Sequence, residues 1–239
     1  MSIKVARLGL VEYQDGLQLQ ERLLALRQER RIPDTLLLLE HPPVLTIGKA
    51  GDESHILTST SWLAQQGISV HRVNRGGKIT YHGPGQLVGY PFLHLKDFGS
   101  DVRQFIRSIE EIFIRLLESE YGILARRHTE YTGVWVGSEK ITAIGFAIKR
   151  WVTMHGFAFN VQPNLEHFRW IHPCGITDPA LGVTSLAKLL ARPVTVDEAA
   201  DQVIRWMAAV LQADCTEISK EELFRDIEAA ERAGTSTKT

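Results

Sequence analysis

Residues 75–86 read Arg-Gly-Gly-Lys-Ile-Thr-Tyr-His-Gly-Pro-Gly-Gln, and no other stretch limits the fold as much. Gly76, Gly77, Gly83 and Gly85, together with Pro84, exclude a continuous helix and permit backbone angles that other residues reach only at a cost. The flanks read as extended: residues 68–74 alternate in polarity, and residues 86–95 follow as a second extended run. A stretch of this kind brings main-chain groups close to a neighbouring strand or to a ligand. On glycine content alone, a tight hairpin and a site are equally good readings.

Strands and helices are mixed along the chain. Residues 3–13 predict a strand, and Leu17, Leu23, Leu24 and Leu26 a helix running to about residue 31. Residues 35–40 are an apolar run without helical period, broken by His41-Pro42-Pro43 and resumed as a strand over 44–48. A polar loop over 51–58 leads to a short helix, 59–66, stopped by Gly67. The clearest helix is 101–121, where Val102, Phe105, Ile106, Ile109, Ile112, Phe113, Leu116 and Leu117 share a face and Gly122 ends it. Residues 133–136, 140–149 and 154–161 predict a β-meander, and 163–181 an irregular segment. Helical patterns return over 196–211 and 221–232. The expected class is α/β, an α+β mixed sheet, in one catalytic domain over 1–232, with a disordered tail over 233–239. Within it, residues 184–232 are a candidate C-terminal subdomain.

Composition narrows the function. The 239 residues are 44% hydrophobic, with 27 basic and 28 acidic side chains and a net charge of −1. Such a balance argues against a nucleic-acid partner held by bulk charge. No apolar run approaches a membrane span, and Lys4 and Arg7 interrupt the first ten residues, so neither membrane nor secretion is expected. Two cysteines, Cys174 and Cys215, make neither a disulfide framework nor a metal knuckle. A reduced, cytoplasmic protein without a metal is expected.

Several side chains carry possible chemistry. Arg75, Lys78 and His82 would suit an anionic or carbonyl-bearing substrate, yet the spacing is that of neither a Walker loop nor a dinucleotide fingerprint. Cys174, between Pro173 and Gly175 in a loop, is poorly placed for core packing and open to activation as a nucleophile, although a lone cysteine is more often a small buried hydrophobe. Lys140 heads a strand of small and apolar residues, where desolvation would suit it as a base; most strand-end lysines are solvated. His82, His155 and His172 are candidate acid–base groups, and none forms a zinc pattern. His41, His55 and His128 read as loop or surface groups. Trp135, Trp151, Phe157 and Phe159 read first as core, with an apolar channel as the other option. Cys215 reads as packing.

In order, the string at 75–86, Gly133-Val-Trp-Val136, Lys140-Ile-Thr-Ala-Ile-Gly145, His155-Gly156, Asn160-Val161, Pro173-Cys-Gly-Ile176 and Val183-Thr-Ser-Leu186 resemble the lipoyl(octanoyl) transferase family across roughly residues 10–210. Thr142 departs from that pattern, which in many members has a smaller residue there. The resemblance implies a biotin/lipoate protein ligase-like fold, a larger mixed sheet flanked by helices with a smaller sheet beside it.

The implied activity is transfer of an octanoyl group from octanoyl-acyl carrier protein to a lysine of lipoyl domains, in endogenous lipoate synthesis. The implied acceptors are the lipoyl domains of 2-oxoacid dehydrogenase complexes and the glycine cleavage H protein. The resemblance makes Cys174 the nucleophile of an acyl-thioester intermediate and Lys140 the group that lowers the cysteine's pKa and serves as its acid–base partner. It assigns Arg75, Gly76, Gly77, Lys78, Ile79, Thr80, Tyr81, His82, Ala143, Ile144, Gly145, Gly156, Phe157 and Ala158 to substrate binding. No cofactor is implied, and a monomer is expected. The alternatives are an ATP-dependent lipoate or biotin ligase, which needs no cysteine, and a non-catalytic member that binds lipoyl domains or acyl carriers. Arg126, Arg127, Lys149 and Arg150 are a candidate patch for steering acidic partners.

Overall fold

Strands β1 (Ser2–Leu10) and β2 (Asp34–Glu40) run parallel in the main sheet of the computed structural model, which describes residues 1–235. Strands β3 (Val44–Ile47), β4 (Ser69–Arg72) and β5 (Ile79–His82) form a separate three-stranded sheet. The chain then returns to the main sheet with β6 (Gln86–Phe92), β7 (Arg126–Arg127), β8 (Gly133–Val136), β9 (Glu139–Lys149) and β10 (Val152–Asn160). Two later strands, β11 (Gly182–Val183) and β12 (Asp214–Ile218), complete it. The strand order is β12-β1-β2-β6-β10-β9-β8-β7, with β11 paired to β9.

Both faces of this sheet are covered, which explains why β2 carries four leucines in a row. Leu36 and Leu38 point to one face, Leu37 and Leu39 to the other, and each set enters its own core. On the first face lie α3 (Val102–Tyr121) and α5 (Val196–Leu211); on the second lie α1 (Tyr13–Gln28) and α6 (Lys220–Thr235); α2 (Thr60–Gln65) and α4 (Leu186–Leu190) are short helices between strands. Helix α3 starts where the Asp101 side chain accepts from the N–H groups of Arg103 and Gln104, and ends at Gly122 in the left-handed region (φ +66°). Its predicted apolar face is the one that packs: Phe105, Ile109, Ile112, Phe113, Leu116 and Leu117 are all buried. A third, smaller core lies under the three-stranded sheet, around Leu45, Ile47, Ile79, Tyr81 and Phe168.

The structure amends several expectations. The first strand stops at Leu10, and Tyr13 opens α1. Residues 184–232 are not a separate unit: α5 packs on α3 and β12 pairs in parallel with β1. Strand β12 (Asp-Cys-Thr-Glu-Ile) is too polar to stand out in the sequence: at the edge of the sheet, paired only with β1, it keeps its side chains exposed or half-buried. The tail expected to be disordered from residue 233 is helical through Thr235; residues 236–239 lie outside the described residues. No helix among the described residues is long and apolar enough to cross a membrane.

Candidate active site

The three-stranded sheet lies over the second face of the main sheet and closes a cavity of about 320 Å³ against β9 and β10. Small residues make room for it. Ala143 and Gly145 on β9 stand directly opposite Ala158 and Gly156 on β10, and all four line the cavity. Over them passes the glycine-rich segment: the Gly76 N–H donates to the Phe146 carbonyl (3.2 Å), and a Cβ on Gly145 would come within 2.9 Å of the Gly76 oxygen. Arg75 stitches this segment together, donating to the carbonyls of Gly76 (2.7 Å), Thr46 (3.1 Å) and Lys78 (3.2 Å).

Cys174 and Lys140 meet at this cavity. Lys140 Nζ lies 3.1 Å from Cys174 Sγ and donates at the same distance to the Thr132 carbonyl. Cys174 occupies a short turn, Pro173–Gly175, in the left-handed region (φ 58°), a conformation uncommon for a residue with a Cβ. Loop residues with such angles concentrate at functional sites.

A bulge aims the lysine. On β9, Thr142 pairs with Val134 and Lys140 with Trp135, so Ile141 is the extra residue and the register shifts there. Val134 belongs to the core under α3, and Trp135, the next residue, faces the opposite way. Lys140 therefore shares a face with Trp135 and Ala143 rather than with Thr142. Its ammonium is 5.0 Å from the Trp135 ring centre, and the residue is only 4% exposed.

Of the residues expected to bind substrate, Arg75, Gly76, Gly77, Lys78, Thr80, His82, Ala143, Ile144, Gly145, Gly156, Phe157 and Ala158 line the cavity. Ile79 and Tyr81 do not: strand alternation turns them into the core beneath the small sheet, where the Tyr81 hydroxyl meets His167 Nδ1 at 2.7 Å. Thr142 faces the α3 side, and its hydroxyl finds no partner among the described residues, so it does not shape the cavity.

The histidines separate by position. His82 and His155 line the cavity, and His172 does not. Burial, aided by His41 and Arg75, lowers the pKa of His82 to about 3; burial and Arg75 bring His155 to about 3. Both are neutral near pH 7, and His155 Nε2 is buried without a hydrogen-bond partner among the described residues. His82 Nδ1 meets Gln86 Oε1 (2.7 Å), and Gln86 in turn donates to Asn160 (2.9 Å). His41, read from sequence as a loop or surface group, is fully buried between the Val11 carbonyl (2.6 Å) and the Tyr90 hydroxyl (2.8 Å), with its pKa lowered by burial to about 4.

Tyr13, Tyr90, Tyr131, Thr132 and Phe146 line the cavity without having been singled out in the sequence. Tyrosines scattered over a helix start, a strand and a loop carry no local signal of a shared site. The steering patch does not hold together. Arg127 is tied to Glu110 (3.0 Å) and Glu111 (2.7 Å), and Arg126 pairs at the level of Trp135 and Lys140. Lys149 lies nine residues further along β9, about 30 Å away at roughly 3.3 Å per residue.

A thiol with a lysine amine beside it, at a cavity between a mixed sheet and a small one, is an arrangement able to take up an acyl group and pass it on. The chain belongs to the lipoyl protein ligase A/B catalytic domain family, whose model matches residues 12–208. It is 54% identical over 224 residues to an octanoyltransferase of Caldicellulosiruptor saccharolyticus, covering 93% of this chain and 94% of that one. It is 52% identical to an octanoyltransferase of Caldicellulosiruptor bescii, over 94% and 98% of the two chains. Among solved structures, a lipoate-protein ligase A bound with ATP superposes with a TM-score of 0.75 at 18% identity, over 98% of this chain and 94% of that one, which establishes the shared fold.

Proposed function

We propose that this chain is an octanoyltransferase in which Cys174 receives the octanoyl group from a carrier thioester and hands it to the lysine amine of a lipoyl domain. The observation that carries the reading is the 3.1 Å contact between Lys140 Nζ and Cys174 Sγ beside the cavity. The ammonium stabilises negative charge on sulfur, and the thiolate is the attacking species. It adds to the thioester carbonyl; the tetrahedral adduct collapses, the carrier thiolate leaves and takes the proton of the Lys140 ammonium, and an acyl-thioester remains on Cys174.

In the second half, Lys140 as the free amine takes a proton from the incoming lysine amine as it attacks, and the Cys174 thiolate departs. Thioester exchange is nearly isoenergetic and amide formation from a thioester is downhill, so the sum proceeds without nucleotide hydrolysis. The cavity floored by Ala143, Gly145, Gly156 and Ala158 suits an unbranched chain. Burying its methylenes at about 0.8 kcal/mol each supplies several kcal/mol of binding. Octanoyl-acyl carrier protein is the donor this chemistry calls for.

The test is intact-protein mass after mixing with octanoyl-acyl carrier protein in the absence of ATP. Wild type should gain one octanoyl group, lose it on addition of a lipoyl domain, and Cys174→Ala should gain none. Modification of the lipoyl domain only when ATP and free octanoate are supplied would replace this reading with that of a ligase.

A further inference from the structure

The Thr132–Gly133 peptide group is held from both ends. Its carbonyl accepts from Lys140 Nζ at 3.1 Å, and its N–H donates to Glu110 Oε1 at 3.0 Å. Glu110 projects from α3 and is 5% exposed. Its second oxygen accepts from Arg127 Nε at 3.0 Å, and Arg127 is fixed in turn by Glu111 (2.7 Å) and the Arg107 carbonyl (2.8 Å). Guanidinium, carboxylate, peptide, ammonium and sulfur thus follow one another in a single hydrogen-bonded line.

This alignment is specified by the backbone. Gly133 has φ +129°, and a Cβ there would collide with the Thr142 carbonyl oxygen. A peptide with a carboxylate on its N–H end and an ammonium on its C=O end is polarised in one sense by both, so each bond strengthens the other. The carboxylate also places a negative charge behind the lysine. Tying α3 to β7 would need only the Glu110–Arg127 pair, whereas the bond to Gly133 reaches towards the site.

We propose that Glu110 is a positioning residue for acyl transfer: through the Thr132–Gly133 peptide it holds the Lys140 ammonium against Cys174. The inference rests on the reading of Lys140 and Cys174 as the reacting pair. A purely structural tie would alter stability and leave the thiol as it is.

Glu110→Gln tests it. The variant keeps its length but must turn an amide N–H₂ towards either Arg127 or Gly133. The expected result is a folded protein whose Gly133 amide proton signal shifts and whose ultraviolet thiolate absorbance at neutral pH drops. kcat should fall about tenfold at unchanged KM for the donor, an effect that corresponds to one lost charged hydrogen bond. Thiolate absorbance and kcat within about twofold of wild type, with only the unfolding midpoint lowered, would overturn the positioning role. Should Glu110→Gln not fold, Arg127→Gln takes its place, with a smaller loss of thiolate absorbance expected and an unchanged one overturning the role. Lys140→Met is measured alongside: an unchanged thiolate there would overturn the reading of the pair itself, whereas loss there with none in Glu110→Gln would overturn only the role of Glu110.

Discussion

Lys140 stands opposite Trp135 across the bulge between β8 and β9, its ammonium 5.0 Å from the centre of the indole ring. The ring is fully buried, and its Nε1–H donates to the Tyr131 carbonyl at 3.2 Å, next to Thr132, which holds the lysine. Trp135→Leu removes the cation–π contact and the tether together. Transfer should fall more than about tenfold, and stability should drop by roughly 3 kcal/mol. Trp135→Phe, which keeps a ring face, should lose less of both. Urea unfolding and single-turnover acyl transfer on the two variants check the order.

Gly133→Ala should destabilise the protein by roughly 2–3 kcal/mol and nearly abolish transfer, because the side chain meets the Thr142 carbonyl and φ +129° suits only glycine. Gly137 offers the control. Its φ is +57°, a Cβ there meets nothing within 4 Å, and Gly137→Ala should cost only about 1 kcal/mol with transfer retained. Thermal unfolding of the two variants gives the comparison.

The cavity should sort acyl chains by length. Ala158 lies beside Ala143 on the sheet face that floors the cavity, so Ala158→Leu fills space where chain carbons would lie. Discrimination should move towards shorter acyl donors by about 0.8 kcal/mol for each methylene excluded, roughly a factor of four in kcat/KM. A donor series from four to ten carbons, compared between wild type and variant, reads the shift directly.

Stability should depend on pH through the buried imidazoles. His41, His82 and His155 hold pKa values of about 4, 3 and 3 in the fold, depressed chiefly by burial, against an ordinary 6.5. Between those limits the unfolded chain binds protons that the native chain does not, so stability falls as pH falls. Their contribution is complete above about pH 6.5 and is lost progressively towards pH 3. With all three titrating only in the unfolded chain, the slope reaches about 4 kcal/mol per pH unit near pH 5. Urea unfolding at pH 8, 6 and 5 measures it; equal free energies at all three would refute the assignment of these groups as neutral.

The two residues proposed to react stand out in the sequence because their neighbours are unusual: a cysteine between proline and glycine, and a lysine heading a strand of small side chains. Helix α3 was legible from its period. Side-chain direction was not. Simple alternation places Lys140 with Thr142 on the α3 face, and only the extra residue at Ile141, a property of strand pairing, turns it into the cavity. Ile79 and Tyr81 sit in the same motif as Thr80 and His82, but a strand sends alternate residues to opposite sides, and the sequence does not say which side holds a ligand. His41 follows the same logic in reverse. Beside Pro42 and Pro43 it looks like a turn residue, whereas its two ring nitrogens are satisfied by partners distant in the chain, which lets it be buried.

The acyl-binding floor and the nucleophile proposed above come from different parts of the architecture. The small residues that floor the cavity belong to two paired strands in the middle of the main sheet, while Cys174 sits on a loop outside both sheets. Substrate range and intrinsic reactivity can therefore drift separately: a substitution on β10 changes which chains fit without disturbing the thiol. The scaffold is accordingly open to diversification of its cargo while the bond-making step stays fixed.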